Sequence, residues 1–456
     1  MSTHTSAPEG ASGTPEADGT ETAAATTASG RVRRFALIGA LYSSQNLSLG
    51  FFTYAFLTIA QARGVPLAAI GTAAGIATLL TLKFLWAPVV DRFGSAKMGH
   101  YRGWLIATQT LLGLGIASLA LFDPAGDFPL LLGIFAVLFV LAATQDIAAD
   151  ATATRLLQPQ ERGFGNGLQS AGASVAQVVG GGLILLVYHA AGWQVATLSL
   201  ALFSVLPLPL ILGWREDAST ATQPAPHVTL RSALAFFSLP AVRVWCFVTI
   251  PAYTLGFTVA YNLVRPLLVD AGWTEGRIGL YVVIGGSGVG IVAGLAAGAL
   301  MTRLGRRSAL IRLGALQVIA TLAVVPMALD MTQPWLVLIV VAVANAAFSA
   351  AFAVVYTISM DLTRPQSAGT DFTFFTTVAS IVMVIAGGGG MAAAGMFGYL
   401  PVLAVAGVLA VVGLVIAART VGPLLRTEQN RTRGSASSAS DSDDRASIRS
   451  QADPRP

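Results

Sequence analysis

The chain has 456 residues, of which 54% are hydrophobic and 11% are charged, and its mean hydropathy is +0.70. A soluble globular protein carries roughly 25% charged residues, so this composition argues against a soluble enzyme and a soluble nucleic-acid binder. The net charge of +5 needs no nucleic-acid partner, because membrane proteins concentrate Lys and Arg in their cytoplasmic loops. Cys246 is the single cysteine and the four histidines are scattered, so we expect no disulfide, no metal centre and no cofactor.

The two ends of the chain are polar and predict disordered tails at 1–34 and 421–456. A secretory signal would place its basic residues ahead of an early apolar core. Here Arg31, Arg33 and Arg34 follow a long polar stretch and directly precede the first long apolar run. This order predicts an N-terminus on the cytoplasmic side of a membrane.

Apolar stretches bounded by Gly, Pro and charged residues predict twelve membrane-spanning helices, each near the roughly 20 residues that a bilayer requires. They lie near 35–60, 67–90, 102–122, 129–154, 164–189, 192–213, 242–269, 277–302, 308–329, 334–360, 371–396 and 398–419. A polar connection at 214–241 divides them. The predicted fold is an all-α membrane protein with two six-helix bundles, 35–213 and 242–420, and both termini in the cytoplasm.

The basic residues support this topology. With the N-terminus inside, nearly all of the 27 Lys and Arg lie in cytoplasmic segments or at helix ends that face them. Arg63 and Arg277 fall on the outer side, and Lys83 and Arg265 fall within spans. A miscounted helix would invert the orientation of every later loop. We therefore expect a multi-pass protein of the cell membrane, that is, the inner or plasma membrane.

Two short loops occupy equivalent positions in the two predicted bundles. Their candidate gating residues are Asp91, Arg92 and Gly94 in the first loop and Arg303, Gly305 and Arg306 in the second. Both loops resemble the Gly-x-x-x-Asp-Arg-x-Gly-Arg-type loop of the major facilitator superfamily, although Pro88 lies near the usual first glycine and Thr302 replaces the second acid. The resemblance implies a substrate site between two bundles and switchable ion pairs at the cytoplasmic face. The alternative is that these are ordinary cytoplasmic charges.

Two further stretches carry a closer resemblance. Residues 81–92 and 143–150 are similar to the peptide and acetyl-coenzyme A transporter group, which includes the AmpG-type anhydromuropeptide permeases, and 368–373 resembles that group's entry into helix 11. Residues 265–273 are closer to siderophore importers of the same group. The resemblance is strongest between about 80 and 170. It implies proton-driven uptake of a mid-sized polar solute by alternating access, either a peptidoglycan fragment or a siderophore.

Three ionisable side chains within predicted spans form a candidate proton-coupling group: Lys83, Asp146 and Asp150. Lys83 and Asp146 lie about 12 and 13 Å from the nearest cytoplasmic turns at 1.5 Å per residue, so we expect them to pair. Asp146 and Asp150 are four residues apart and share a helix face. One hypothesis makes Asp146 the proton carrier and Lys83 its switchable partner. The alternative is a static Lys83–Asp146 pair, with Asp150 bonded to Arg92.

Polar and aromatic side chains on the predicted inward faces are candidate solute-binding residues. They are Tyr42, Gln45, Asn46, Gln145, Gln169, Tyr261, Asn262, Arg265, Asn345, Tyr356 and Asp371. Amides and aromatic rings suit a sugar, a peptide or a catecholate-like solute. Any one of them can instead bond to a neighbouring helix, and Arg265 either reaches towards the headgroups or meets an anionic solute.

Other functions remain open at this point. The fifth predicted helix lacks the Gly-Pro pattern associated with proton-coupled drug exporters of this superfamily, which favours uptake; efflux of a drug or metabolite is the alternative. A membrane-embedded enzyme would need clustered histidines or an Asp-rich loop, so we expect no enzyme. A scaffold would not need charges within its spans. The expected partners are protons, a small solute and the lipid bilayer, with no nucleic acid, and we expect a monomer.

Overall fold

The computed structural model describes residues 17–95, 97–216 and 235–451, and its regular structure there is helical apart from one isolated bridge between Ser95 and Gly99. Eight segments in this part of the chain are long and apolar enough to cross a bilayer. They are His100–Leu121, Phe128–Leu156, Arg162–Gly213, Pro240–Asp270, Gly276–Leu329, Pro334–Leu362, Ala368–Phe397 and Tyr399–Leu425. The fold is that of an all-α membrane protein, while the count of twelve spans and the cytoplasmic termini stay predictions.

The α-helices are numbered in chain order within the described residues. They are α1 Ala17–Gln45, α2 Leu47–Gly50, α3 Leu57–Ala62, α4 Leu67–Ala74, α5 Ala87–Arg92, α6 His100–Ser118, α7 Phe128–Leu156, α8 Arg162–Gln177, α9 Ile184–Val205, α10 Leu208–Gly213, α11 Pro240–Val244, α12 Ile250–Asp270, α13 Glu275–Ile278, α14 Gly286–Ala323, α15 Pro334–Leu362, α16 Ala368–Phe397 and α17 Tyr399–Gln451. Single π-helical stretches join several of them, at Phe51–Phe56, Val178–Leu183, Trp245–Thr249 and Gly279–Gly285. A 3₁₀ stretch, Gly75–Leu85, lies between α4 and α5.

Two of the eight segments contain a glycine whose backbone leaves the helical region. Gly192 has φ 84° inside the 52-residue segment Arg162–Gly213, and Gly305 has φ 74° inside the 54-residue segment Gly276–Leu329. Glycine adopts positive φ without the steric cost that a Cβ would add. Both breaks fall where the sequence predicts a turn between two spans, so each segment changes direction at its glycine.

Helical backbone extends beyond the predicted spans at both ends of the chain. Helix α1 begins at Ala17 and α17 continues to Gln451, although the sequence predicts disorder at 1–34 and 421–456. A helix that is already formed by an apolar span adds further residues without a new nucleation step, which accounts for this difference. Residues 1–16 and 452–456, and the part of the central loop at 217–234, lie outside the described residues.

Each predicted bundle has a large apolar cluster of its own, and a smaller cluster joins Tyr42 of the first bundle to Met360 and Phe372 of the second. The bundles also meet along α8 and α14. One buried cluster is built around Phe51, Phe56 and Phe135, and another around Trp245 and Ile358. Between the bundles the helix backbones approach closely, because glycine faces glycine on α8 and α14. The facing glycines are Gly163, Gly167, Gly294 and Gly298. Small residues permit such contact between membrane helices.

We expect Gly298→Ala to lower the free energy of unfolding by about 1–3 kcal/mol, the usual cost of an overpacked contact. A Cβ at this position would lie 2.5 Å from the Gly163 carbonyl oxygen, which belongs to the backbone and cannot rotate away. The matched control is Gly288→Ala on the same helix, where a Cβ meets no atom within 4 Å. Thermal unfolding in detergent measures both, and equal transition temperatures for the two variants would contradict the close contact.

Candidate functional site

A cavity of about 310 Å³ lies between the two bundles. The first bundle contributes α1, the 3₁₀ stretch, α7 and α8, and the second contributes α15 and α16. The polar side chains that line the cavity are Gln45, Asn46, Thr81, Lys83, Asp146, Asp150, Gln169, Tyr356 and Ser380. Since both bundles supply walls, any rearrangement of one bundle against the other changes the shape of this cavity.

Lys83 and Asp146 form an ion pair at the cavity wall, between Lys83 Nζ and Asp146 Oδ2. Lys83 comes from the 3₁₀ stretch and Asp146 from α7, the two elements that the sequence places at matching depth. The side chains are 10% and 21% exposed, respectively. A charge within a membrane span requires a partner or an aqueous cavity, and these two residues are partners that line a cavity.

Asp150 lies one helical turn from Asp146 and is fully buried. Its Oδ1 accepts hydrogen bonds from the Tyr42 hydroxyl (3.2 Å) and from Gln169 Nε2 (3.0 Å), while its Oδ2 has no hydrogen-bond partner. The predicted bond between Asp150 and Arg92 is wrong. Arg92 is exposed and stacks over the Phe93 ring, because consecutive helix residues point about 100° apart and the preceding residue faces the interior.

That preceding residue, Asp91, joins the two bundles. Its carboxylate accepts hydrogen bonds from the Tyr101 hydroxyl (2.6 Å) and from the backbone N–H groups of Gly369 (3.1 Å) and Thr370 (2.6 Å). Those N–H groups begin α16, where unpaired donors and the helix dipole favour an anion. Burial raises the pKa of Asp91, and the hydrogen bonds from Thr370 and Tyr101 oppose that shift.

Gly94 packs so closely on the His100 ring that a Cβ there would clash.

The second loop makes a different connection at the same end of the molecule. Arg306 Nε donates to Asp361 Oδ2 (2.8 Å), and Arg162 Nη1 from the first bundle donates to Asp361 Oδ1 (3.0 Å). Arg306 also donates to the Pro159 carbonyl, whereas Arg303 is exposed. Sequence reasoning missed Asp361, although an acid among basic cytoplasmic loops was the available signal. We call the contacts of Asp91 and Asp361 across the bundles the basic-face latch.

A second cavity of about 200 Å³ also lies between the bundles. Its polar lining consists of Tyr54 and Gln177 from the first bundle and Tyr261, Asn262, Arg265, Ser287 and Asn345 from the second. Tyr54, Gln177 and Ser287 were not predicted, because each stands alone in an apolar run. The predicted solute-binding residues therefore divide between two cavities, with Gln45, Asn46, Gln169 and Tyr356 in the first.

Three predicted solute-binding residues do not line either cavity. Tyr42 lies behind the first cavity, bonded to Asp150. Gln145 is buried and donates to Gln109. Asp371 is fully buried in the first turn of α16, where Arg364 binds it with Nε at 2.7 Å and Nη2 at 2.8 Å. Sequence periodicity places all three on inward faces but does not distinguish a cavity wall from the packing behind it.

No group of three or more His, Cys, Asp or Glu side chains in the described part of the chain is arranged to hold a metal ion. The charged residues that line the first cavity are Lys83, Asp146 and Asp150. Such a set can hold an ion pair and can gain or lose a proton, and its amides and aromatic rings can bind a polar solute.

Comparison with known proteins shows the family. The sequence model of the Major Facilitator Superfamily matches residues 36–387. The anhydromuropeptide permease of Escherichia coli K12 is 31% identical over 261 residues, which are 56% of this chain and 52% of the permease. An uncharacterized Haemophilus influenzae protein is 27% identical over 55% of this chain and 60% of its own length. The match to these curated relatives thus spans about half their length.

Solved structures agree on the fold. The human organic anion transporter MFSD10 superposes with a TM-score of 0.65 at 14% identity, covering 84% of this chain and 99% of its own. FucP, in an outward conformation, superposes with a TM-score of 0.60 at 15% identity over 85% of this chain and 98% of its own. The Escherichia coli relative is a permease, and the two solved structures are those of transporters. With a family match over most of its length and a helical fold that superposes on these transporters, the chain belongs to the Major Facilitator Superfamily.

Proposed function

We propose that this protein is a secondary active transporter of the inner or plasma membrane that couples proton entry to the uptake of a mid-sized polar solute. It would do so with twelve spans, cytoplasmic termini and alternating access between two six-helix bundles. The observation that carries the proposal is the first cavity, which both bundles line and which contains the Lys83–Asp146 pair beside Asp150. A structural scaffold has no need of ionisable groups there.

The proton is assigned to Asp150. Its Oδ1 already accepts from Gln169 Nε2, while Asp150 Oδ2 and Gln169 Oε1 are both buried without a partner. A proton on Oδ2 allows a second hydrogen bond to Gln169 Oε1, which closes a cyclic acid–amide pair and satisfies both atoms. A buried acceptor that lacks a donor costs about 1–3 kcal/mol. One proton therefore removes two such costs.

The charges of the cavity give the proton a role in coupling. Lys83 neutralises one carboxylate, Asp146, so the group is neutral overall when Asp150 holds its proton. Loss of that proton leaves two carboxylates and one ammonium group, and the excess charge is unfavourable in a desolvated cavity. Lys83 then has two possible partners, Asp146 and Asp150. We propose that the exchange of Lys83 between these two carboxylates is the electrostatic step that accompanies the movement of one bundle against the other.

The basic-face latch would be the gate for release into the cytoplasm. In the present conformation Asp91 holds the start of α16, and Asp361 holds Arg162 and Arg306. Opening that side requires both sets of contacts to break. The facing glycines of α8 and α14 lie near the same end, and their small size permits one bundle to move against the other.

The solute class follows from the lining and from the relatives. Amides, hydroxyls and aromatic rings fit a sugar–peptide, and one relative is an anhydromuropeptide permease. A peptidoglycan fragment is therefore the first candidate, and a siderophore is the second. The volume of about 310 Å³ is at the lower end of ligand-binding cavities, so binding of such a solute would widen this cavity.

Counterflow in proteoliposomes tests the proposal. Vesicles loaded with an anhydromuropeptide, or in parallel with a ferric siderophore, are diluted into the labelled compound. We expect labelled anhydromuropeptide to accumulate, and to accumulate further under an inwardly directed proton gradient. Accumulation of neither compound would refute the solute class. Loss of accumulated label from the vesicles under the inwardly directed proton gradient would favour efflux.

A further inference from the structure

The second cavity carries a positive charge that nothing in the described structure neutralises. Arg265 lines the cavity, and no carboxylate in the described part of the chain lies within ion-pair distance of it. The nearest acid along α12, Asp270, accepts instead from the Tyr399 hydroxyl at 2.6 Å. This differs from the first cavity, where Lys83 is paired with Asp146.

The neutral groups of this cavity are also free to bind. The side chains of Tyr54, Gln177 and Ser287 have no hydrogen-bond partner in the described part of the chain, whereas Tyr261 donates to Asn345 (3.2 Å). Three potential donors thus accompany the guanidinium group. Because two of these side chains come from the first bundle and Arg265 comes from the second, a ligand held here would contact both bundles.

Asn262 adds an acceptor beside the arginine. Its Nδ2 donates to the Thr258 carbonyl at 2.8 Å, and its side-chain Oδ1 accepts no hydrogen bond within the described part of the chain. The cavity therefore presents an arginine fork and neutral donors together with an amide oxygen. This set is complementary to an oxyanion that has a hydrogen-bond donor next to it.

We propose that the second cavity is a binding subsite for a carboxylate that adjoins an amide N–H, as at the C-terminus of an acylated amino acid or peptide. The guanidinium group would bind the two carboxylate oxygens in the paired geometry that arginine favours, and Asn262 Oδ1 would accept the amide N–H. The inference rests on the proposed solute uptake and deepens it, since it selects solutes that carry a carboxylate. An unpaired arginine also attracts the carboxylate before the bundles close.

The test uses small probes as well as a transported solute. Binding to the purified full-length protein in neutral detergent is measured by thermal stabilisation with N-acetylalanine and with N-acetylalaninamide, which has no charge. We expect the carboxylate to stabilise the wild type at concentrations at least tenfold lower than the amide does. Arg265→Gln should abolish that preference, and Arg265→Lys should retain part of it.

Arg277→Gln is the matched control. Arg277 stacks over the Trp273 ring and lies outside the lining of this cavity, so its loss removes one positive charge without touching the subsite and should leave the preference intact. Equal stabilisation by both probes in the wild type, or an unchanged preference in Arg265→Gln, overturns the subsite. Stabilisation that appears only with added phosphatidylglycerol assigns the oxyanion to a lipid headgroup and also overturns it.

The same measurements separate the two proposals. An anhydromuropeptide and its carboxamide derivative are compared in counterflow. Preference for N-acetylalanine without any counterflow supports the subsite and refutes the proposed solute. Counterflow of both derivatives at equal rates supports transport and refutes the subsite.

Discussion

Asp150→Asn is expected to abolish accumulation against a gradient while leaving solute exchange within a few-fold of the wild type. The amide keeps the shape of a protonated carboxyl, accepts from Tyr42 and Gln169 and donates to Gln169 Oε1, the atom that has no partner in the present structure. It therefore fixes the site in its proton-loaded form. Uphill uptake requires release of that proton, whereas counterflow does not.

The measurement is the ratio of proton-driven uptake to counterflow in the same proteoliposomes, which we expect to fall more than tenfold. The ratio is insensitive to the amount of folded protein. Asp371→Asn is the control, because Asp371 is equally buried but bonded to Arg364 outside both cavities; its ratio should stay at the wild-type value. A wild-type ratio in Asp150→Asn would refute the assignment, and loss of the ratio in Asp146→Asn alone would transfer the proton to Asp146.

Lys83→Met is expected to destabilise the protein by about 3 kcal/mol, because removal of one partner from a buried ion pair leaves the other charge uncompensated. Asp146 is 21% exposed to the cavity, so some hydration remains and the lower end of the usual 3–5 kcal/mol applies. The double variant Lys83→Met with Asp146→Asn has no unpaired charge and should regain most of the lost stability. Transport should stay low in both, since neither can exchange partners.

Thermal unfolding in detergent measures the three proteins, Lys83→Met, Asp146→Asn and the double variant, against the wild type. A double variant that is no more stable than Lys83→Met would contradict the ion pair as the cause of the loss. Normal proton-driven uptake by the double variant would show that the pair is dispensable for coupling, and would leave Asp150 as the sole group involved.

The depth of a residue along a helix can be predicted from the sequence, and for this reason the pairing of Lys83 with Asp146 was predictable. Each residue adds a fixed rise, so two residues equally far from the same membrane face are at the same level, and the structure joins them. Depth does not fix direction around the helix axis or the identity of the facing helix. For this reason one interpretation of the sequence bonds Asp150 to Arg92, whereas its partners in the structure are Tyr42 and Gln169.

The same limit applies to the candidate solute-binding residues. A polar residue on an inward face lines a cavity or bonds to a neighbouring helix, and the choice depends on how closely that neighbour approaches. Arg265 and Asn262 line a cavity, whereas Asp371 lies in the first turn of α16 and is bound by Arg364, which precedes that helix. The division of the site into two cavities could not be predicted, because it depends on the separation of helices that are far apart in the chain.

The sequence by itself determined that this is an all-helical membrane protein of the major facilitator type. A low charge content, long apolar runs and a repeated loop are local properties, and hydrophobic burial in a bilayer follows directly from them. Only the tertiary structure decided that Asp91 holds the start of α16, that Asp361 joins Arg162 to Arg306, and that Asp150 accepts hydrogen bonds from Tyr42 and Gln169. These contacts join residues from different helices, so they exist only once the bundles have packed against each other.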